Sequence, residues 1–469
     1  MKKKLLALLL GLCLLGSAVP VLAAEGTPPL PLWAHSITAD GYAMGLFGNE
    51  LATTHNQPVT QMQLDAITRV VADKLALLKM EQRTGEDRPL VIDTTRGGVL
   101  NALYQEAAAY AFPGVEKGPV DFMSSVGAVA GNGQDLYLDR PCTVLEAVTM
   151  ANSLILSLYD QQNAGSLGLL WKADNGRGNT LYLLGSIHVD RNNVYPFHKQ
   201  LRDIITSAER VSFELDFNDQ AGLKEFSALQ VYQDGTTLAD HISPELYQAV
   251  IQVSSQVGLE EQLIRYYKPW ALANMFQSMA MMDESTGANS MAIDLYVNAK
   301  AVNAGAKIGA VETYAFQGGL FDSLSDQYQE TSLATSILML LGDDTPNQEV
   351  KQVLVDILGA DILNSESQKE LDNQLAMVGT WMEQWKSRSI NDFSKDFNKE
   401  AIINGADELS SKLFTGRDPN MIAYADQFLK QPGSHTELLV VGAGHMIGKT
   451  GIVQGLKDLG YTVQPVPVP

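Results

Sequence analysis

Two stretches end an apolar run in the same way. "TLYLLGSIHV" sets His188 three residues after Gly185, and "TELLVVGAGHMIG" sets His445 three residues after Gly442. With only seven histidines in 469 residues, two in one setting point to a shared role. Imidazole nitrogen with carboxylate oxygen is the usual donor set of a catalytic Zn, Mn or Co site that keeps a position open for water. Carboxylates stand at the ends of two further short apolar runs, Glu214 in "RVSFELDF" and Glu312 in "AKIGAVET". A divalent metal held by such groups lowers the pKa of its bound water and polarises a carbonyl, so hydrolysis is the expected reaction. Glu214 or Glu312 could instead serve as general base. Gly185 and Gly442, having no Cβ, would let the chain turn sharply or let a backbone, ligand or substrate come close. Arg417-Asp418, just ahead of a helical stretch, reads as an anion contact or a helix cap.

The elements that must position these groups follow from periodicity. "LLWKADNGRGNTLYLLGSIHV" reads as a hairpin, two short apolar strands around an Asn175-Gly176 turn. A helix is expected from about Phe197 to Ser207, then a strand ending at Glu214, then a long helical excursion. "AKIGAVET" is a further strand, followed by a helical block from about Ser323 to Phe397. The helix "DPNMIAYADQFLK", the strand "TELLVVGAG", the helix "GIVQGLKDLG" and the strand "YTVQPVPV" close the chain. Strands separated by helices predict an α/β fold with a central, largely parallel sheet covered by helices. In such sheets reactive groups collect where the strands end at their C-terminal side, and His188, Glu214, Glu312 and His445 all fall there. His35, His55, His198, His241 and His435 have no such setting and are expected at the surface. Trp381 and Trp385, four apart, read as helix packing, and the cluster Met275, Met279, Met281 and Met282 as core.

Residues 1–24 read as a secretory signal peptide: Lys2, Lys3 and Lys4, an apolar stretch from Leu5 to Leu15, and a small-residue site at Ala23-Ala24. No later run is long and apolar enough for a membrane span, so a secreted, extracellular or cell-wall-associated protein is expected. Cys142 alone would survive processing, so no internal disulfide forms and stability must come from burial. With 33 basic and 54 acidic side chains, net −21, the surface repels phosphate backbones and argues against nucleic acid as a partner.

Residues 25–162 are helical and carry an internal echo. "GLFGNELATTHNQPVT" and "GAVAGNGQDLYLDRPCT" align Gly48-Asn49 with Gly131-Asn132 and Thr60 with Thr143, each Thr a predicted helix N-cap. Short helical units that must stack to bury their apolar faces predict a small all-α repeat domain. "WAHSITADGYAMGLFG" and "RPCTVLEAVTMA" make this region similar to S-layer homology repeats, which implies a cell-wall polymer as partner.

Residues 163–469 form the second unit. "LLWKADNGRGNTLYLLGSIHVD", "FELDF", "IDLYVNAKAVNAGAKIGAVETYAFQ", "GRDPNMIAYADQFL" and "ELLVVGAGHMIGKTGIVQGLKDLGYTV" resemble, in order, the blocks of the TraB/GumN family, to which the Tiki proteins belong. The family pattern usually has Thr at Ser186 and Arg-Asn at Arg417-Asp418. The resemblance implies a fold similar to erythromycin-esterase-like and ChaN-like proteins and a metal-dependent protease. His188, Glu214 and His445 would be its metal ligands or catalytic groups, with Glu312 and Arg417 beside them and Gly185 and Gly442 shaping the site. The expectation is an exported metal-dependent hydrolase, a peptidase acting on peptides or protein N-terminal segments, with Mn, Co or Zn as cofactor. The alternative is a non-catalytic cell-surface protein that sequesters a peptide or wall fragment.

Overall fold

The computed structural model describes residues 30–31, 33–84, 90–131, 135–187, 194–281, 291–341, 348–359, 365–405 and 408–469. The predicted signal peptide, Asn132 and His188 lie outside the described residues.

Three of the N-terminal helices start at a threonine. Thr60 caps the helix Gln61–Ala76 through the Gln63 amide, and Thr143 caps Val144–Gln161 through Glu146, both as complete capping boxes. Thr95 does the same for Arg96–Ala108 through the amide of Gly98. The extended residues before them pair, Pro58 with Thr143 and Thr95 with Pro141, so the three helix starts gather in one place. Arg96, buried at this junction, donates to the carbonyls of Leu136 and Ala130 and to Glu146 Oε1 at 3.0 Å. Burial alone would raise the Glu146 carboxyl, but Arg140, the Thr143 amide and Arg96 outweigh it and hold it at about 2. Thr60 and Thr143 are marked in the sequence by the Gly-Asn turn ahead of them, whereas "DTTRGGVLNAL" has no such turn to mark Thr95.

From Leu169 onward the chain builds a six-stranded sheet in the order β4-β3-β5-β2-β1-β6. The strands are β1 (Leu169–Asp174), β2 (Thr180–Ser186), β3 (Arg210–Phe213), β4 (Lys307–Ala310), β5 (Thr436–Gly442) and β6 (Thr462–Pro465). β1 and β2 form the expected antiparallel hairpin, Leu169 opposite Gly185 and Asp174 opposite Thr180. β5 runs parallel to both β2 and β3, and β3 parallel to β4, whereas β6 lies antiparallel on the outer side of β1. The fold is therefore α/β with a mostly parallel sheet. Strands covered on both faces must be apolar on both, which is why "LLVV" of β5 is buried without alternation.

The helices after β3 and β4 build a second apolar cluster of their own, from Pro244–Gln256, Pro269–Met281, Asp326–Leu341 and Gln348–Leu358. The main core is continuous from the N-terminal helices into the sheet. It includes Leu75, Leu103 and Leu154 together with Leu184, Tyr296, Trp385 and Val440. Polar contacts cross the same seam: Lys300 Nζ pairs with Asp40 Oδ2 at 2.7 Å, Tyr296 donates to Asp40 Oδ1 at 2.6 Å, and Lys74 donates to the Tyr195 carbonyl at 2.9 Å. Trp381 and Trp385 are buried as helix packing predicts, and Trp385 Nε1 donates to the Gly185 carbonyl at 2.6 Å. Two of the histidines expected at the surface are not there: His55 and His198 are each 4% exposed. His198 is buried because it caps the helix Lys199–Ser207, its Nδ1 accepting from the Gln200 amide.

Candidate functional site

Glu214 directly follows β3 and Glu312 stands two residues past β4. The pairing of these strands continues beyond them, with the Val311 amide donating to Phe213 and the Glu312 amide donating to Glu214 at 2.9 Å, so the two carboxylates sit side by side. Arg417 reaches both. It donates Nε to Glu312 Oε1 at 2.9 Å and Nη2 to Glu312 Oε2 at 2.7 Å and Glu214 Oε2 at 2.5 Å. Gln317 Nε2 donates to Glu312 Oε2 at 2.8 Å and to Glu214 Oε2 at 3.2 Å. The other oxygen of Glu214, Oε1, accepts the Gly442 amide at 2.8 Å.

His445 lies on a single helical turn, Ala443–Met446, that leaves β5 without a linker. Its Nδ1 is 2.8 Å from Asp418 Oδ1 and its Nε2 is 3.9 Å from Glu214 Oε1. A carboxylate that only accepts calls for the hydrogen on Nδ1, so that in the neutral ring Nε2 turns its lone pair toward Glu214. Asp418 is held in turn by Lys399 Nζ at 2.7 Å and by the Thr450 hydroxyl at 3.0 Å, both on Oδ2. Lys399 also lies 4.9 Å over the Phe414 ring, and that ring is 5.2 Å from the imidazole. All of this is buried: Lys399, Arg417 and Asp418 are at most 1% exposed, and Glu214, Glu312 and His445 are below 9%.

The family model for TraB/PrgY/gumN matches residues 169–465, the span that holds every strand of the sheet and every group just described. The chain belongs to the TraB/PrgY/gumN family. No curated protein and no solved structure gives a match.

In this TraB/PrgY/gumN chain the structure brings Glu214, Glu312 and His445 together, as their positions at strand ends led one to expect, and adds Arg417 from the start of a helix. Asp418, Lys399, Gln317 and Thr450 join them. Of the two uses open to Arg417-Asp418, Arg417 takes the anion contact, with two internal carboxylates and no side-chain cap bond, while Asp418 binds the imidazole. No local signal marks Lys399, an isolated base in "DFNKEAIING", since its partner is contributed by a separate helix.

The two glycines are not equivalent. A Cβ on Gly185 would come 2.9 Å from the Ala443 Cα, whereas one on Gly442 would meet only Glu214 Oε1 at 3.4 Å and the His445 ring at 3.5 Å. The motifs are also out of step by one residue, since Ser186 pairs with Gly442. Gly185 is thus required by backbone approach, while Gly442 serves through its amide. Gly185→Ala is expected to lower stability by about 1–3 kcal/mol in urea unfolding, because the obstacle is backbone that cannot step aside. Gly442→Ala should change it far less, and equal losses for both would refute the distinction.

Burial alone would weaken the hold of Arg417 on its proton, but Glu214 and Glu312 outweigh it and raise its pKa. For Lys399 the balance runs the other way: burial lowers it in spite of Asp418. Three carboxylates against two cations leave one net negative charge among these groups, which suits a cation or an imidazolium. Two donors for a divalent ion meet here, Glu214 Oε1 and His445 Nε2. Their 3.9 Å separation is a few tenths of an ångström wider than the roughly 3.0–3.5 Å between two ligands each about 2.1 Å from one ion. Among the described residues no group of three or more His, Cys, Asp or Glu could hold a metal. The third donor expected from the sequence, His188, lies outside the described residues.

Proposed function

We propose that this protein is an exported metal-dependent hydrolase that cleaves peptides or N-terminal segments of proteins, with His188, Glu214 and His445 holding the ion. The observation that carries this reading is the imidazole of His445, whose Nδ1 is tied to Asp418 so that Nε2 faces Glu214 Oε1. A carboxylate behind a histidine that offers its far nitrogen is the usual outer support of a metal ligand. Ser186, two residues before His188, lies beside Gly442 in the sheet, which puts the two motifs on neighbouring parallel strands. Ser186 Oγ and Gln317 Oε1 are buried without a hydrogen-bond partner among the described residues, as suits a place built to receive water or a polar substrate.

A bound ion of this class would supply an activated water and polarise the scissile carbonyl. The chain's own contribution is to hold and aim Glu214 through Arg417 and the Gly442 amide. Glu312, bound more fully by Arg417, acts as that arginine's second anchor. No described helix is long and apolar enough to cross a membrane. Retention at the cell wall is assigned to the N-terminal helices, on the support of their three Thr-capped starts, and is tested by pulling purified protein down with isolated walls.

Elemental analysis after dialysis against a mild chelator tests the main reading. The parent should retain close to one Mn, Co or Zn per chain, and His445→Ala, His188→Ala and Glu214→Gln should each lose it, with peptide cleavage falling by at least about 10³-fold where a ligand is removed. A parent that takes up none of the three ions after reloading would leave the peptide-sequestering reading in its place.

A further inference from the structure

Arg417 and Asp418 are neighbours in the chain, yet their side chains serve the two donors separately. Arg417 binds Glu214 Oε2, which leaves Glu214 Oε1 for the Gly442 amide and the imidazole side. Asp418 binds His445 Nδ1, which leaves Nε2 for the Glu214 side. Both residues stand at the start of the helix Asp418–Leu429, with Pro419 in its first turn. One short segment therefore sets the orientation of both groups and the gap between them.

From this geometry we infer that Arg417-Asp418 is a positioning dipeptide, with Lys399 as the counter-charge that keeps Asp418 in place as a buried carboxylate acceptor. The inference rests on the proposed metal-dependent reading for its purpose, but not for its structural content. Three features carry it. Asp418 is 1% exposed and its two oxygens are divided, Oδ1 to the imidazole and Oδ2 to Lys399 and Thr450. Lys399, 1% exposed, faces Asp418 and the Phe414 ring, so its charge is placed for this carboxylate. Gly444 completes the fit, since a Cβ there would come 2.8 Å from Phe397 and 2.9 Å from Phe414, the ring that flanks His445. The turn carrying the imidazole is thus pressed against an aromatic wall on one side and tied to Asp418 on the other. Arg417 binds Oε2 of Glu214 and Asp418 binds Nδ1 of His445, so both act through the donors and not on a substrate.

The nitrogen-15 signals of the His445 ring in metal-free full-length protein, recorded at a pH where imidazole is neutral, report the tautomer directly. The parent is expected to show a single Nδ1–H form, and a parent in the Nε2–H form overturns the inference without any variant. In the charge-balanced double variant Asp418→Leu with Lys399→Met, both tautomers should appear and Co(II) should bind about 10–100-fold more weakly than in the parent. Lys399→Met alone removes the counter-charge of Asp418, so the Nε2–H form should appear beside Nδ1–H, and a folded variant that keeps only Nδ1–H overturns the role of Lys399. A folded double variant that still shows only Nδ1–H overturns the role of Asp418. If the parent shows the expected tautomer and the double variant loses it while neither binds Co(II), the positioning role stands and the metal reading fails.

Discussion

Arg417→Met is expected to lower the free energy of unfolding by about 3–5 kcal/mol, the usual cost of removing one partner from a buried ion pair. The cause is local. Arg417 is 0% exposed and pairs with both Glu214 and Glu312, which would be left side by side without their cation, with Gln317 donating to each. Two adjacent buried carboxylates cannot both stay ionised, so one of the pair in the variant would hold a proton that the unfolded chain releases. The sign follows: the variant gains stability as pH falls through the range where that proton binds, whereas the parent, whose carboxylates are held by the guanidinium, does not. Urea unfolding at pH 5 and pH 8 measures both effects. A variant as stable as the parent at pH 8 would show that the cluster is open to water and the burial argument wrong. Replacing all three groups by apolar residues should cost less than replacing Arg417 alone, because no unpaired charge would remain.

Removing residues 25–162 is expected to yield a chain that does not fold as a cooperative monomer. The repeat region looks separable in the sequence, yet its helices share one apolar core with the sheet and lend it partners. Without them Lys300 loses Asp40 and is left with a buried charge, and the Tyr195 carbonyl loses Lys74. Leu154, Ile155, Leu158 and Tyr159, all buried, are deleted from the core outright. The truncated chain should bind a hydrophobic dye, lose its sharp thermal transition and aggregate. A monomer with a cooperative transition near that of the parent would establish two independent domains meeting at residue 162. The same comparison bears on wall retention: point changes at the helix starts around Arg96 test it better than deletion, which would unfold the rest.

Much of the architecture was legible because it is written over short windows. The Asn175-Gly176 turn between two apolar runs is a local signal and became the β1–β2 hairpin. Thr60 and Thr143 announce their helices by the residue three places on, and both boxes formed. Glycine before histidine at the end of a strand drew attention to His445, and strand-end acids to Glu214 and Glu312. His198 misled because a histidine used as a helix cap is indistinguishable in sequence from an exposed one.

What the chain determined by itself was therefore the alternation of strand and helix, the mostly parallel α/β class, membership of the TraB/PrgY/gumN family and the residue types that collect where strands end. What only the tertiary structure decided was partnership. β5 enters between β3 and β2, although β3 and β5 are more than 200 residues apart, and that insertion carries His445 to Glu214. Arg417 divides from Asp418, one turning to the glutamates and the other to the imidazole, and Lys399 finds its counter-charge on a different helix. Backbone propensity and hydrophobic period act within a few residues. The pairing of buried charges is settled by which surfaces the packed core brings face to face, and no local pattern encodes that.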